Sequence, residues 1–203
     1  MLLKNLNIEK PIKGIIHIGA HKCEEKPFYN NVLKVDDKRI VWIDAIQQLI
    51  AENKKKNPNI RIFWGCLSDK DDEEIEFKIT NNLQSSSILD MKEHLKEHPK
   101  IVETKRIKMK TKKLTSLMAQ HNINPNNFNF INLDIQGAEL LALKGAGDLL
   151  KNIDYIYTEV NQKELYAGCA LLPEIDEYLK AFGFKRKNTI ITKYGWGDAF
   201  YTK

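Results

Sequence analysis

The stretch Phe128-Asn129-Phe130-Ile131-Asn132-Leu133-Asp134-Ile135-Gln136-Gly137-Ala138-Glu139-Leu140-Leu141-Ala142-Leu143-Lys144-Gly145 runs from a short apolar segment, through an acid and a glycine, into a segment of helical period. A buried strand that ends on Asp134 and turns at Gly137 into a helix over 139–150 is one βα unit. The same pattern recurs on both sides. Upstream, Gly14-Ile15-Ile16-His17-Ile18 predicts a strand and 24–35 a helix. Ile40-Val41-Trp42-Ile43 predicts a second strand ending at Asp44, then a helix over 45–56 stopped by Asn57-Pro58, then a third strand over 60–64. Downstream, Tyr155-Ile156-Tyr157-Thr158-Glu159-Val160 reads as a strand and 173–182 as a helix. The runs 187–192 and 198–201, briefly connected, read as an antiparallel hairpin. Strands alternating with helices predict an α/β fold on an open, mostly parallel sheet.

The middle of the chain breaks this rhythm. Residues 74–80 and 102–110 alternate polar and apolar, which suits half-exposed strands rather than buried parallel ones. Between them lie the polar loop Asn81-Asn82-Leu83-Gln84-Ser85-Ser86-Ser87 and a short helix over 91–97. We read 73–110 as a small β/helix insertion at the rim. A helix over 114–120 then restores the pattern. With no internal repeat, low-complexity tract or Pro/Gly linker, one domain over 1–203 is expected.

Composition limits the function classes. At 203 residues, with 42% hydrophobic and 29% charged, the chain is an ordinary globular sequence, which excludes disorder, fibres and mini-protein scaffolds. Lys+Arg 32 against Asp+Glu 27 gives +5. The basic residues are scattered among acids, as in Lys70 between Asp69 and Asp71. They read as solvated faces, with some share in holding a phosphorylated or acidic sugar, and a nucleic-acid partner is not expected. No apolar run approaches the ~20 residues of a membrane span. Met1-Leu2-Leu3-Lys4-Asn5 is too short an apolar stub for the centre of a signal peptide, so a cytoplasmic location is expected. Cys23, Cys66 and Cys169 are odd in number, widely spaced and without a Cys-x-x-Cys pair, which argues for reduced thiols. The oligomeric state is not legible.

In open α/β sheets, ligands bind beyond the carboxyl ends of the strands. After the first strand, Gly19-Ala20-His21 allows close approach of backbone to a ligand; a tight turn explains it equally well. Asp44 stands where a carboxylate accepts ribose hydroxyls, and also where an acid caps a helix. Cys66-Leu67-Ser68-Asp69 reads as a compact polar turn able to border an adenine ring. Asp134 is costly at the end of an apolar strand unless it faces a cleft or has partners, and Glu159 poses the same question on the next strand. Glu139 either joins these acids or simply favours its helix dipole.

Taken together, Ile-His-Ile-Gly-Ala-His from Ile16, the acid Asp44, Leu-Ser-Asp from Leu67, Ser-Ser-Ser-Ile-Leu from Ser85, and Leu-Asp-Ile-Gln-Gly-Ala-Glu-Leu from Leu133 resemble the FkbM family of S-adenosylmethionine-dependent O-methyltransferases. The resemblance runs over about 14–201 and is strongest in the last motif, where the family carries Asp-x-Glu-Gly-x-Glu-x-x-x-Leu-x-Gly. Gln136 here stands for the second acid of that motif, and His17 for a usual Asp.

The resemblance implies a Rossmann-like class I methyltransferase with a seven-stranded sheet, using S-adenosylmethionine and releasing S-adenosylhomocysteine. His17, Gly19, Ala20, Asp44, Leu67, Ser68 and Asp134 would hold the cofactor. Asp134, Glu159, His21 and His98 are candidates for the base that a hydroxyl acceptor needs, with Asp134 first. A divalent metal on Asp134 and Glu159 is conceivable, but neither ligand spacing nor a His pair supports it. His94 and His98, four apart, read as a polar helix face. Ser85, Ser86, His98, Glu139, Tyr166 and Trp196 are candidates for acceptor binding, the aromatic rings stacking on sugar CH groups. The acceptor implied is a sugar hydroxyl of a glycan or nucleotide sugar, gripped by the insertion and the Trp196 hairpin. RNA ribose methylation and a non-catalytic cofactor-binding module are the competing readings.

Overall fold

The computed structural model describes residues 6–203; the N-terminal stub discussed above lies outside them. Four parallel strands built from β-branched residues form the centre: β1 (Ile15–Ile18), β2 (Ile40–Asp44), β7 (Phe130–Leu133) and β8 (Tyr155–Asn161), buried along their whole length. Near-continuous apolar runs are what a sheet covered on both faces requires. β3 (Ile62–Trp64), β9 (Lys185–Ile191) and β10 (Trp196–Thr202) complete a seven-stranded sheet in the order β3-β2-β1-β7-β8-β10-β9. Only β10 runs against its neighbours, pairing antiparallel with β8 and β9. The chain reverses direction across the sheet between β1 and β7, so their carboxyl ends form the crevice where such folds bind ligands.

Helices α1 (Lys26–Asn31), α2 (Gln47–Lys56), α4 (Leu114–Gln120), α5 (Glu139–Ala146) and α6 (Leu172–Lys180) link the strands. The larger core packs Leu114, Leu117, Leu143, Ile175 and Leu179 of α4, α5 and α6 against Ile16, Val41, Ile131 and Ile156 of the sheet. The smaller core, on the other face, centres on Tyr29, Trp42 and Phe130.

Some expected elements change shape. The first helix is shorter than 24–35, because Lys34 takes a left-handed φ of 57°. The helix over 139–150 ends as an α-helix at Ala146, where Gly147 (φ 50°) turns the chain into a 3-10 segment over Gly147–Asn152. Cys66–Leu67 is not a polar turn. It is a short, fully buried strand, β4, pairing parallel with β6 (Glu103–Lys112), while β5 (Glu74–Thr80) pairs with β6 on its other side. The insertion is therefore a three-stranded sheet anchored to the chain leaving β3, with helix α3 (His94–Glu97) beyond it. No helix among the described residues is long and apolar enough to cross a membrane.

Candidate active site

Strand register brings the key residues together. Ile18 lies opposite Leu133, so Gly19 follows beside Asp134, whose N–H donates to the Ile18 carbonyl at 3.0 Å. Leu133 also lies opposite Thr158, which sets Glu159 next to Asp134 from the other side. Gly19 is required by both space and backbone: its φ is 89°, and a Cβ there would stand 1.8 Å from the Asp134 carbonyl oxygen.

Two adjoining cavities open over these strand ends and share Gly19, His21, Gln84 and Asp134. The first, of about 570 Å³, is walled mainly by apolar side chains, among them Ile46, Leu49, Leu67, Phe77 and Ile88, and has Asp44 at one edge. Asp44 is 8% exposed, and each of its oxygens accepts a backbone N–H at 2.8 Å, Oδ2 from His21 and Oδ1 from Ile46. One carboxylate thus ties the loop after β1 to the start of α2. Burial raises its pKa against those stabilising bonds.

The second cavity, about 1140 Å³, is polar and acidic, with Glu24, Glu25, Asp134 and Glu159 on its lining. Asp134 is open to the cleft yet surrounded by protein, and its pKa is raised chiefly by loss of solvent. Glu159 is 7% exposed and is pushed well above the carboxylate range, first by burial and then by the Asp134 charge. Two acids this close do not both ionise readily, and each holds the other's pKa up. Gln136 bridges them: its Nε2 donates to Asp134 Oδ1 at 2.7 Å and to Glu159 Oε2 at 3.0 Å. The Gln136 Oε1 accepts from the Tyr166 hydroxyl at 2.7 Å, which fixes which end of the amide faces the acids. The insertion buttresses this loop, since the Ser87 hydroxyl donates to the Gln136 carbonyl at 2.8 Å.

Of the residues expected at the site, Gly19, Asp44, Leu67, Ser86 and Asp134 line the apolar cavity, and His21, Ser85, His98, Glu159, Tyr166 and Trp196 the polar one. Four lie outside both. His17, 2% exposed, is sealed beneath the first loop. Tyr29 accepts from Asn132 at 2.6 Å and so donates to His17 Nδ1 at 2.8 Å, leaving Nε2–H for the Gly19 carbonyl at 3.2 Å. Burial lowers its pKa to about 4. Ala20 is packed in the smaller core, and Ser68 is buried with its hydroxyl turned to Asp69 at 3.2 Å. Glu139 caps its own loop, one oxygen accepting the N–H of Ile135 at 3.0 Å and of Gly137 at 3.2 Å; burial raises it to about 7.

Sequence reasoning missed Gln84, Gln136, Glu25 and His94, all on the polar cavity. Gln136 was visible inside the most specific motif, but only as a lost charge. Nothing in its spacing announced that an amide would join two acids from different strands. Among the described residues no group of three or more His, Cys, Asp or Glu is arranged to hold a metal ion.

Comparison with known proteins agrees with this architecture. The model of the methyltransferase FkbM domain matches residues 17–186. The 2-O-methyltransferase NoeI of Sinorhizobium fredii is 28% identical over 186 residues, covering 86% of this chain and 74% of NoeI. Among solved structures, a methyltransferase FkbM from Methylobacillus flagellatus superposes with a TM-score of 0.57 at 13% identity over 94% of this chain, which spans 43% of that longer chain. A SAM-dependent methyltransferase from Aquifex aeolicus gives a TM-score of 0.50 at 11% identity, covering 98% of this chain and 86% of the other. At such identities the structural likeness shows the fold. The match over 170 of the 203 residues shows the family: this chain belongs to the FkbM methyltransferases.

Proposed function

We propose that the chain, working as one domain, is an S-adenosylmethionine-dependent O-methyltransferase whose acceptor is a saccharide hydroxyl. The observation that carries this reading is the meeting of an apolar cavity and an acidic one at Gly19 and Asp134. The residues fit the cofactor. An apolar slot bordered by Leu67 and Phe77 suits a flat base. Asp44 keeps free lone pairs after accepting two N–H groups and suits a pair of ribose hydroxyls. The carboxylates of the second cavity suit a cationic end.

When bound, S-adenosylmethionine supplies an electrophilic methyl group on a positively charged sulfur. The chain's own task is to align an acceptor oxygen and take its proton. Asp134 is the more exposed of the two acids and lines both cavities, so it is the base of choice. Gln136, held by Glu159 and Tyr166, keeps the Asp134 carboxylate in one orientation. His21 is less suited, because its Nδ1 is engaged with Glu24 at 2.8 Å and its Nε2, the nitrogen left to act as a base, is buried. The 2-O-methyltransferase relative supports oxygen as the acceptor atom.

The test is calorimetric titration of the purified chain with S-adenosylmethionine, followed by transfer of labelled methyl to a sugar panel. Micromolar binding with methyl incorporation is expected. Absence of binding at millimolar cofactor ends the proposal, and cofactor binding without transfer to any acceptor favours a binding module.

A further inference from the structure

The loop after β1 is expected to hold the cofactor, yet its backbone donors are already taken. The N–H groups of Gly19 and Ala20 both donate to the Ile43 carbonyl, that of His21 to Asp44, that of Lys22 to Glu24, and that of Cys23 to the Ala20 carbonyl. His17 is sealed beneath the loop with both ring nitrogens bonded. Among the described residues no lysine or arginine lines either cavity. A carboxylate entering the polar cavity therefore meets no permanent cation, and it faces four carboxyl groups, Glu24, Glu25, Asp134 and Glu159.

The four acids differ in what they already hold. Glu24 accepts from the His21 ring at 2.8 Å and from the Lys22 N–H at 3.0 Å, one bond on each oxygen. Asp134 and Glu159 are joined through the Gln136 amide. Glu25 stands apart, because among the described residues no other residue donates a hydrogen bond to its carboxyl group. His17 Nε2 lies 3.9 Å away, but its ring is neutral and its proton goes to the Gly19 carbonyl. Loss of solvent raises the Glu25 pKa, and no hydrogen bond from another residue offsets this. The side chain is nevertheless 22% exposed and lines the polar cavity, so a ligand can reach it.

S-adenosylmethionine has two cationic groups of different chemistry. Its sulfonium has no N–H, whereas its α-ammonium has three, and an unpaired carboxylate answers such a donor with a short, charge-assisted bond. Asp134 is shared by the two cavities, while Glu25 belongs to the polar one alone. Taking the proposed methyl transfer as given, we infer that Glu25 receives the α-ammonium group of the cofactor, and that the site reads this ammonium while leaving the neighbouring carboxylate unanchored. The decarboxylated, aminopropyl form of the cofactor is then bound as readily as the amino-acid form. Glu25 acts as a binding residue, and the proton of the acceptor is left to Asp134.

Calorimetric titration of the full chain tests this with three ligands: S-adenosylhomocysteine, its decarboxylated counterpart, and 5′-methylthioadenosine, which has neither ammonium nor carboxylate. The decarboxylated ligand is expected to bind within about threefold of S-adenosylhomocysteine, and 5′-methylthioadenosine at least roughly tenfold more weakly. Glu25→Gln, which keeps the shape of the side chain and removes its charge, should weaken both ammonium ligands at least roughly tenfold and 5′-methylthioadenosine less than about threefold. Should Glu25→Gln fail to fold, Glu25→Ser, which keeps a favourable residue at the start of α1, serves in its place with the same expectation. A decarboxylated ligand weaker than this, a smaller loss of S-adenosylhomocysteine affinity in the variant, or an equal loss for 5′-methylthioadenosine overturns the inference. The methyl-transfer reading fails on a different result, an unaltered chain that binds none of the three, so the two are separable.

Discussion

The ends of β2 and β7 look alike in sequence, each an apolar strand closing on an aspartate, yet the two acids live differently. Asp44 is buried, and backbone N–H groups from two loops fill one acceptor site on each of its oxygens. Asp134 is open to the cleft, accepts from a single side-chain amide, and stands beside a second acid that competes with it for a proton. The first arrangement makes a rigid corner with lone pairs to spare, suited to holding a ligand. The second keeps a carboxylate accessible and under electrostatic pressure, suited to moving a proton. Strand-end position is common to both; what separates them is how many fixed donors each one meets.

The sharpest way to break this contrast is Asp134→Asn. If Asp134 is the base, the rate of labelled methyl transfer should fall ~100- to 10,000-fold, with cofactor affinity by calorimetry changed only a few-fold. A rate within threefold of the unaltered chain would remove it from that role.

The layer beneath both strand ends gives a stability effect almost as large. His17 has a folded pKa of about 4 against 6.5 in the unfolded chain, so only the unfolded state gains its proton between these values. This group's contribution is present above pH 6.5 and is lost as pH falls toward 4, by ~3 kcal/mol in all. Urea unfolding at pH 7 and pH 5 should show a steeper loss for the native chain than for His17→Phe; equal slopes would contradict the sealed imidazole. Carboxyl groups held high, such as Glu139, act in the opposite sense, and the comparison with the variant removes their share.

At the β2 end, Asp44→Ala strips the acceptor from two backbone N–H groups. It should lower stability by ~2 kcal/mol and weaken S-adenosylmethionine at least tenfold, read by denaturation and calorimetry. Loss of stability with unchanged affinity would make Asp44 a corner only.

The smallest effect is expected from Gln136→Met, which keeps the length of the side chain and deletes its donors. Because the Gln136 amide lowers the Asp134 pKa, its removal should raise it. The acid limb of the pH–rate profile should then move to higher pH, with a rate loss of about tenfold at neutral pH. An unmoved acid limb would mean that the amide does not tune the base.

The sheet was readable because buried parallel strands must be apolar throughout, and Ile15–Ile18, Ile40–Asp44 and Phe130–Leu133 are. Cys66–Leu67 was misread because two residues carry no periodicity; their strand exists only because Thr111 and Lys112 of β6, far along the chain, supply the partners. Glu139 looked like a third site acid, and its neighbours 135 and 137 claimed it for their N–H groups instead. His94 looked like surface, since a four-residue helix has no legible inner face, and it became buried when Tyr166 packed on it.

By itself, then, the sequence determined the α/β class, the family, and which acids stand at strand ends, because these follow from local hydrophobic pattern and contiguous motifs. The tertiary structure alone decided which acid is caged and which is open, that one amide joins Asp134 to Glu159, and that His94 is buried against Tyr166. Those properties depend on distances between residues far apart in the chain, and a pKa or an unmade hydrogen bond is set by what surrounds a group in space.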